Sequence, residues 1–220
     1  MDVTIKGLYD LTHTRAADYL SKFTYPWEAL SGISDLILEI GKTLPADEFD
    51  HPAEDVWIAK DATVFDSAYI AGPCIIGHNT QVRQCAFIRG SALIGDNCVI
   101  GNSTEIKNVI IFDNVQVPHY NYVGDAILGF HAHMGAGSIT SNVKADNKNV
   151  VIKNEGELIE TGRRKVGAML GDYADIGCGS VLNPGVVIGR KTNVYPLSCV
   201  RGVVGPDSIY KDKDNIVKKF

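Results

Sequence analysis

The sequence predicts an all-β fold, a solenoid wound from six-residue repeats. Two periodic observations carry this. From Ile58 an aliphatic residue recurs every sixth position through Val64, Ile70, Ile76, Val82, Ile88, Ile94, Ile100 and Ile106. Four places after each of the first eight stands a small residue: Ala62, Ala68, Cys74, Thr80, Ala86, Ala92, Cys98 and Thr104. A period of six is neither helical nor simple alternation. It describes a short strand that turns a corner repeatedly, with one large and one small side chain pointing inward. Three such hexads make a triangular coil of 18 residues, and successive coils stack at the strand spacing of about 4.8 Å. Stability then comes from stacking similar units, whose open ends need covering.

The elements follow in chain order. Residues 1–50 lack the repeat. Leu30, Ile33, Ile37, Ile40 and Leu44 recur at helical spacing, with Pro26 upstream and Gly41 near the end, so one or two amphipathic helices are expected to cap the N-terminal end of the coil. The solenoid is expected over 51–210. Phe112 and Pro118 continue the phase less well, and a slip is expected between Pro118 and Leu128, after which Leu128, Met134 and Thr140 resume it. A polar stretch at 144–165 interrupts the repeat and reads as a protruding hairpin around Asn154-Glu155-Gly156. The repeat returns at Leu170, Ile176, Leu182, Ile188, Val194 and Val200, and a charged tail is expected at 211–220.

Composition narrows the function. The chain of 220 residues carries a net charge of −5, with 45% hydrophobic and 21% charged residues. That balance argues against a nucleic-acid partner. Neither a stretch of 18 apolar residues nor a signal-peptide core is present, which points to a cytoplasmic protein without membrane contact. The five cysteines, an odd set without a CxxC pair, read as buried reduced thiols rather than a disulfide or zinc framework.

The block EIKNVIIFDNVQVPHYNYVGDAILGFHAHMGAGSITSN at 105–142 and the later TGRRKVGAMLGDYADIGCGSVLNPGVVIG carry a family resemblance. Over about residues 56–205 the chain resembles the acetyltransferase domain of the bifunctional N-acetylglucosamine-1-phosphate uridyltransferase/glucosamine-1-phosphate acetyltransferases, in their archaeal-type version. The resemblance implies a left-handed parallel β-helix, assembly as a homotrimer, acetyl-CoA as acyl donor without a metal, and an amino sugar phosphate such as glucosamine-1-phosphate as acceptor. It places the chain in the biosynthesis of UDP-N-acetylglucosamine. No Gly-rich nucleotide-binding loop occurs in the first fifty residues, so nucleotidyltransfer is not expected from this chain alone.

The same resemblance assigns roles. His119 falls on the general base, a role suited to an imidazole of near-neutral pKa. Arg89 and Lys107 fall on sugar-phosphate contacts, Tyr122 and Asn142 on sugar-binding positions, and Lys148 on a loop lysine that reaches the phosphate. Ala136 corresponds to a backbone position that meets the acyl-CoA, with Cys178 and Pro196 as coenzyme-lining positions. His133 stands where bacterial members have an asparagine near the reacting amine. Spacing adds its own argument: Arg89 and Lys107 both follow an inward aliphatic and lie 18 residues apart, so two cations stack outward on one face where an anion would relieve their repulsion. The same spacing puts Gly101 beneath His119.

Two other readings compete. A non-catalytic trimer would use the pocket to bind a sugar nucleotide. A carbonic-anhydrase-like solenoid would hold a metal, with His131 and His133 as a pair, although no third ligand is evident.

Overall fold

Twin apolar faces dictate the architecture. In most coils one strand has three apolar residues in a row, as in Cys74-Ile75-Ile76, Ala92-Leu93-Ile94 and Val186-Val187-Ile188, and all of these are buried. The middle residue points away from the coil interior, so it needs a second cover. The computed structural model, which describes residues 1–219, provides one. It is a parallel β-solenoid with three walls.

The covered wall runs through Val56–Ala59, Cys74–Ile76, Ala92–Ile94, 109–111, 126–128, Ala168–Leu170, Val186–Ile188 and Val203–Val204. The open wall runs through Tyr69–Ile70, Phe87–Ile88, 105–107, 122–124, Ile139–Thr140, Val181–Leu182 and Cys199–Val200. The polar wall starts at Thr63–Val64 and passes through Gln81–Val82, Val99–Asn102, Gln116–His119, His133–Met134, Asp175–Ile176 and Asn193–Val194 to Ser208–Asp212. The hexad aliphatics and the small residues meet in the interior, where Thr80 and Thr104 hydroxyls donate to the carbonyls of Gly95 and Val117.

The N-terminal segment corrects one expectation. The helix Ile33–Gly41 packs on the covered wall against Cys74–Ile76, Ala92–Ile94 and Glu105–Ile111, with Ile33, Leu36 and Ile37 buried. Further along that wall the Tyr9 hydroxyl donates to the Ile127 carbonyl at 3.4 Å, and the Asn154 amide donates to Met1 O at 2.9 Å. The segment therefore lies along the side of the rod rather than over its end. Gly41 is required here, because a Cβ would run into the Trp57 indole. The coil edges are closed otherwise: Phe49–Ala53 pairs antiparallel with Val56–Ala59, and Asn215–Lys218 pairs antiparallel with Ser208–Asp212. The expected charged tail is thus mostly a capping hairpin, which satisfies a strand edge that would otherwise be bare.

The expected register slip between Pro118 and Leu128 is present, and an earlier one precedes it. Ile94 pairs with Ile111, not Phe112, and Val117 rather than Pro118 continues from Ile100. One residue is lost between Ile106 and Ile111, and another between Val123 and Leu128, at corners where Asn108 (φ 52°) and Asp125 (φ 50°) are left-handed. The expected hairpin forms as Val151–Asn154/Glu157–Glu160, turning on Glu155 and Gly156, both at positive φ, but it lies against the rod rather than protruding from it, with Ile152 buried and its first strand packed on Val203–Val204. Of the cysteines only Cys74 and Cys98 are buried, with burial pushing both thiols up to about 12. Cys85, Cys178 and Cys199 are exposed, since they occupy corner or outward positions.

Candidate active site

Parallel register sorts the candidate residues into columns. One corner edge, between the polar and open walls, carries Asn102, His119, Ala136, Cys178 and Pro196 in successive coils. The backbone fixes this order: Tyr120 N donates to Asn102 O, Gly137 N to His119 O, Gly179 N to Ala136 O and Leu197 N to Cys178 O, at 2.8–3.0 Å. The base candidate and the three coenzyme candidates therefore share one edge. The corner itself is pinned by Asn121, which is buried. Its Oδ1 accepts from His119 N at 3.0 Å, and its Nδ2 donates to Gly135 O at 2.8 Å and Ser138 O at 3.1 Å.

His119 is exposed, and its Nδ1 lies 3.2 Å from Asn102 Oδ1. An amide oxygen only accepts, so this contact places the imidazole proton on Nδ1 and leaves the Nε2 lone pair free. Gly101, expected beneath His119, lies beneath Pro118 instead, because the coil there spans 17 residues rather than 18. Ala136 follows one coil on, and among the described residues its N–H has no protein acceptor.

Arg89 and Lys107 do stack on the open wall, in the register that pairs Ile88 with Ile106. Their charges are not left bare, which corrects the expectation of mutual repulsion. Arg89 Nη1 lies 2.6 Å from Glu105 Oε1, and Lys107 Nζ lies 3.9 Å from Asp125 Oδ2. The hydrogen bond to Glu105, foremost, holds the Arg89 guanidinium above its usual pKa.

Beside them runs a ladder of corner side chains one coil apart. Asn108 Nδ2 donates to Asp125 Oδ1 at 2.8 Å, and Asn142 Nδ2 donates to Asp125 Oδ2 at 2.6 Å and to Tyr122 Oη at 3.1 Å. Burial, helped by the Asp125 and Glu105 charges, raises the Tyr122 hydroxyl pKa, so it stays protonated with its hydrogen available as a donor. Tyr122 and Asn142 are thus brought together with Lys107. Glu105, Asn108, Asp125 and Asn102 were given no role from the sequence. A column search at 17 residues instead of 18 would have found Asn102, Asp125 and Asn108, which precede His119, Asn142 and Asp125 by that interval.

Two candidates lie apart within one chain. His133 points from the polar wall, where its Nδ1 pairs with Asp175 Oδ1 at 2.8 Å; that bond is the leading reason the Asp175 pKa is lowered. Lys148 is exposed on the loop before the hairpin, where its backbone N–H donates to Asp146, with no side-chain bond to the open wall among the described residues. His131 sits at a corner (φ 57°) and stacks on Tyr173, so it goes to a different partner from His133. Among the described residues no group of three or more His, Cys, Asp and Glu side chains is placed to hold a metal, and no helix is long and apolar enough to cross a membrane.

Residues 70–161 match the family model described as the GMPPB C-terminal domain. A bifunctional sugar-1-phosphate nucleotidylyltransferase/acetyltransferase from Sulfurisphaera tokodaii is 33% identical over 156 residues, 71% of this chain and 39% of that protein. The chain is similar to this part of that protein. The bifunctional protein GlmU of Methanococcus maripaludis is 35% identical over 112 residues, 51% of this chain and 27% of its own length. The chain thus spans well under half the length of these curated relatives. Among solved structures, PerB from Caulobacter crescentus, crystallised with CoA and GDP-perosamine, aligns over 86% of this chain and 67% of its own at 19% identity and a TM-score of 0.39.

Proposed function

We propose that this protein is an acetyl-CoA-dependent N-acetyltransferase whose acceptor is an amino sugar phosphate such as glucosamine-1-phosphate. The observation that carries the reading is the edge itself: His119, with Nδ1 tied to Asn102 and Nε2 free, stands in one column with Ala136, Cys178 and Pro196. The kinship with sugar-1-phosphate nucleotidylyltransferase/acetyltransferases supports it.

On this reading acetyl-CoA lies along the edge with its thioester near Ala136. His119 Nε2 takes a proton from the substrate amine as nitrogen bonds to the thioester carbonyl carbon. The free Ala136 N–H steadies the oxyanion. Collapse breaks the carbon–sulfur bond, and the proton passes from His119 to the departing thiolate. Tyr122 and Asn142 hydrogen-bond the sugar, with the buried Asp125 holding the Asn142 amide in place, while Arg89, Lys107 and Lys148 face its phosphate. His133 tunes specificity from across the edge.

Assembly is part of the proposal. The open wall exposes Tyr69 (62%) and Phe87 (41%), and beyond Glu105 the same column continues through the half-buried Tyr122, Ile139 and Val181. An uncovered apolar sheet wall is an association surface, and a homotrimer built on it sets the His119 edge against a neighbour. The deciding experiment measures thiol release from acetyl-CoA across a panel of amino sugar phosphates, with sedimentation to fix the oligomer. Acceptor-dependent release supports the assignment; binding of the panel without release by any member overturns it.

A further inference from the structure

At the corner between the later coils of the open and covered walls, the hairpin lies against the rod and borders an open cleft of about 200 Å³. Its lining includes Lys144, Lys153, Arg201 and Asn183, with Gly185 and Gly202 as the floor, and it contains no carboxylate. Both glycines are left-handed (φ 79° and 74°) and allow the hairpin to sit close: a Cβ on Gly185 would press on Val150 and Ile152, and one on Gly202 would meet the Lys153 carbonyl. Among the described residues neither Lys153 nor Arg201 has an ion pair or a side-chain hydrogen bond, while Lys144 is shared with Asp146 at 3.3 Å. In a chain of net charge −5 such a concentration is local, not a reflection of the whole surface.

The contrast with the Arg89–Lys107 pair is instructive, since each of those cations already has its carboxylate. Unpaired cations gathered in a concave site, one of them a guanidinium, make a phosphate cradle. Along the open wall Arg201 follows Lys107 by four coil steps, through Gly124, Ser141 and Asn183. At about 4.8 Å per step that is on the order of 19 Å. The two sites are distinct on one protomer.

We infer that the hairpin cleft, through Lys153, Arg201 and Lys144, binds a diphosphate group. This holds whether or not the acyl-transfer reading does, because it concerns binding alone. The diphosphate of a coenzyme and that of a sugar nucleotide share this chemistry, and the test separates them. Titration calorimetry on the full chain, with inorganic pyrophosphate as probe, is expected to give a binding heat that weakens steeply with salt. Arg201→Ala and Lys153→Ala each weaken binding at least tenfold, and Lys42→Ala, at an exposed lysine outside both sites, leaves it unchanged. Competition by CoA but not by uridine diphosphate assigns the coenzyme; the reverse assigns the nucleotide. Both substituted residues are exposed, so an unchanged unfolding midpoint verifies intact folding, and Arg201→Lys retains most of the affinity by keeping the charge. No pyrophosphate binding by the unaltered protein, or binding lost in Arg89→Ala but kept in Arg201→Ala, overturns the inference.

Discussion

His119 Nδ1 stands 3.2 Å from Asn102 Oδ1 across adjacent coils, a contact made possible by a coil one residue shorter than its predecessors. With a full coil, Gly101 would have lain there and the ring would have lost its acceptor. The relationship selects one imidazole tautomer, and through it the atom able to take a proton.

Removal of the imidazole in His119→Ala is expected to lower kcat by about 10² to 10⁴, the usual yield of a positioned general base. Asn102→Ala removes one neutral hydrogen bond and is expected to lower kcat about tenfold with KM little changed. In Asn102→Asp the new carboxylate favours the imidazolium, so the alkaline-rising limb of the pH–rate profile shifts to higher pH. A loss under tenfold in His119→Ala would remove this residue from the base role. An Asn102→Asp profile that does not move would detach Asn102 from the proton.

Thiol chemistry divides the cysteines. Cys74 and Cys98 are buried with pKa values pushed up to about 12, whereas Cys178 is exposed on the edge proposed for the coenzyme. Since the thiolate is the reactive form, a disulfide reagent at pH 8 is expected to leave Cys74 and Cys98 unmodified until the chain unfolds, and acetyl-CoA should slow labelling of Cys178. Mass mapping of labelled peptides reads both. Early modification of Cys74 would contradict the interior placement.

Much of this was legible in the hexad spacing, because an inward side chain every six residues leaves little choice but a three-walled coil. The lateral position of the N-terminal helices is encoded too, in the residue before each inward aliphatic. Ile75, Leu93, Ile110, Ile127, Met169 and Val187 are apolar and buried on the covered wall, while the polar-wall counterparts from Gln81 to Asn193 are, Val99 apart, the polar Gln81, Gln116, His133, Asp175 and Asn193. What stayed hidden depends on single-residue register. The ion pair of Arg89 with Glu105 and the Asn108–Asp125–Asn142 ladder join neighbouring coils at 16- and 17-residue separations, which a search at 18 passes over.

The pair of His133 and Asp175 yields a pH-dependent prediction. The His133 hydrogen bond holds the Asp175 carboxyl below its ordinary value in the folded state. The unfolded chain therefore binds the proton more readily, so the contribution is complete above the unfolded value near pH 4 and fades as pH falls through the lower folded value. His133→Ala removes that cause. The difference in unfolding free energy between the unaltered protein and this variant is expected to narrow as pH falls from 5 to 2 in urea titrations. A constant difference would mean that the bond does not govern the Asp175 titration.

Two glycines test the corner geometry from opposite sides. At Gly101 a Cβ would overlap the carbonyl and Cα of Pro118 in the next coil, and the obstacle is backbone that cannot rotate away. At Gly137, one coil beyond Tyr120 on the neighbouring corner column, nothing lies within 4 Å of a Cβ, and the only penalty is the left-handed φ of 70°. Gly137→Ala is therefore expected to cost about 1–2 kcal/mol, the price of a left-handed alanine. Gly101→Ala is expected to exceed about 4 kcal/mol or to prevent folding, since the coil must open to admit it. Denaturant titration of both variants measures the order. Equal costs would mean that the strands around Pro118 yield easily, and the short coil that seats His119 over Asn102 would then be a soft feature instead of a fixed one.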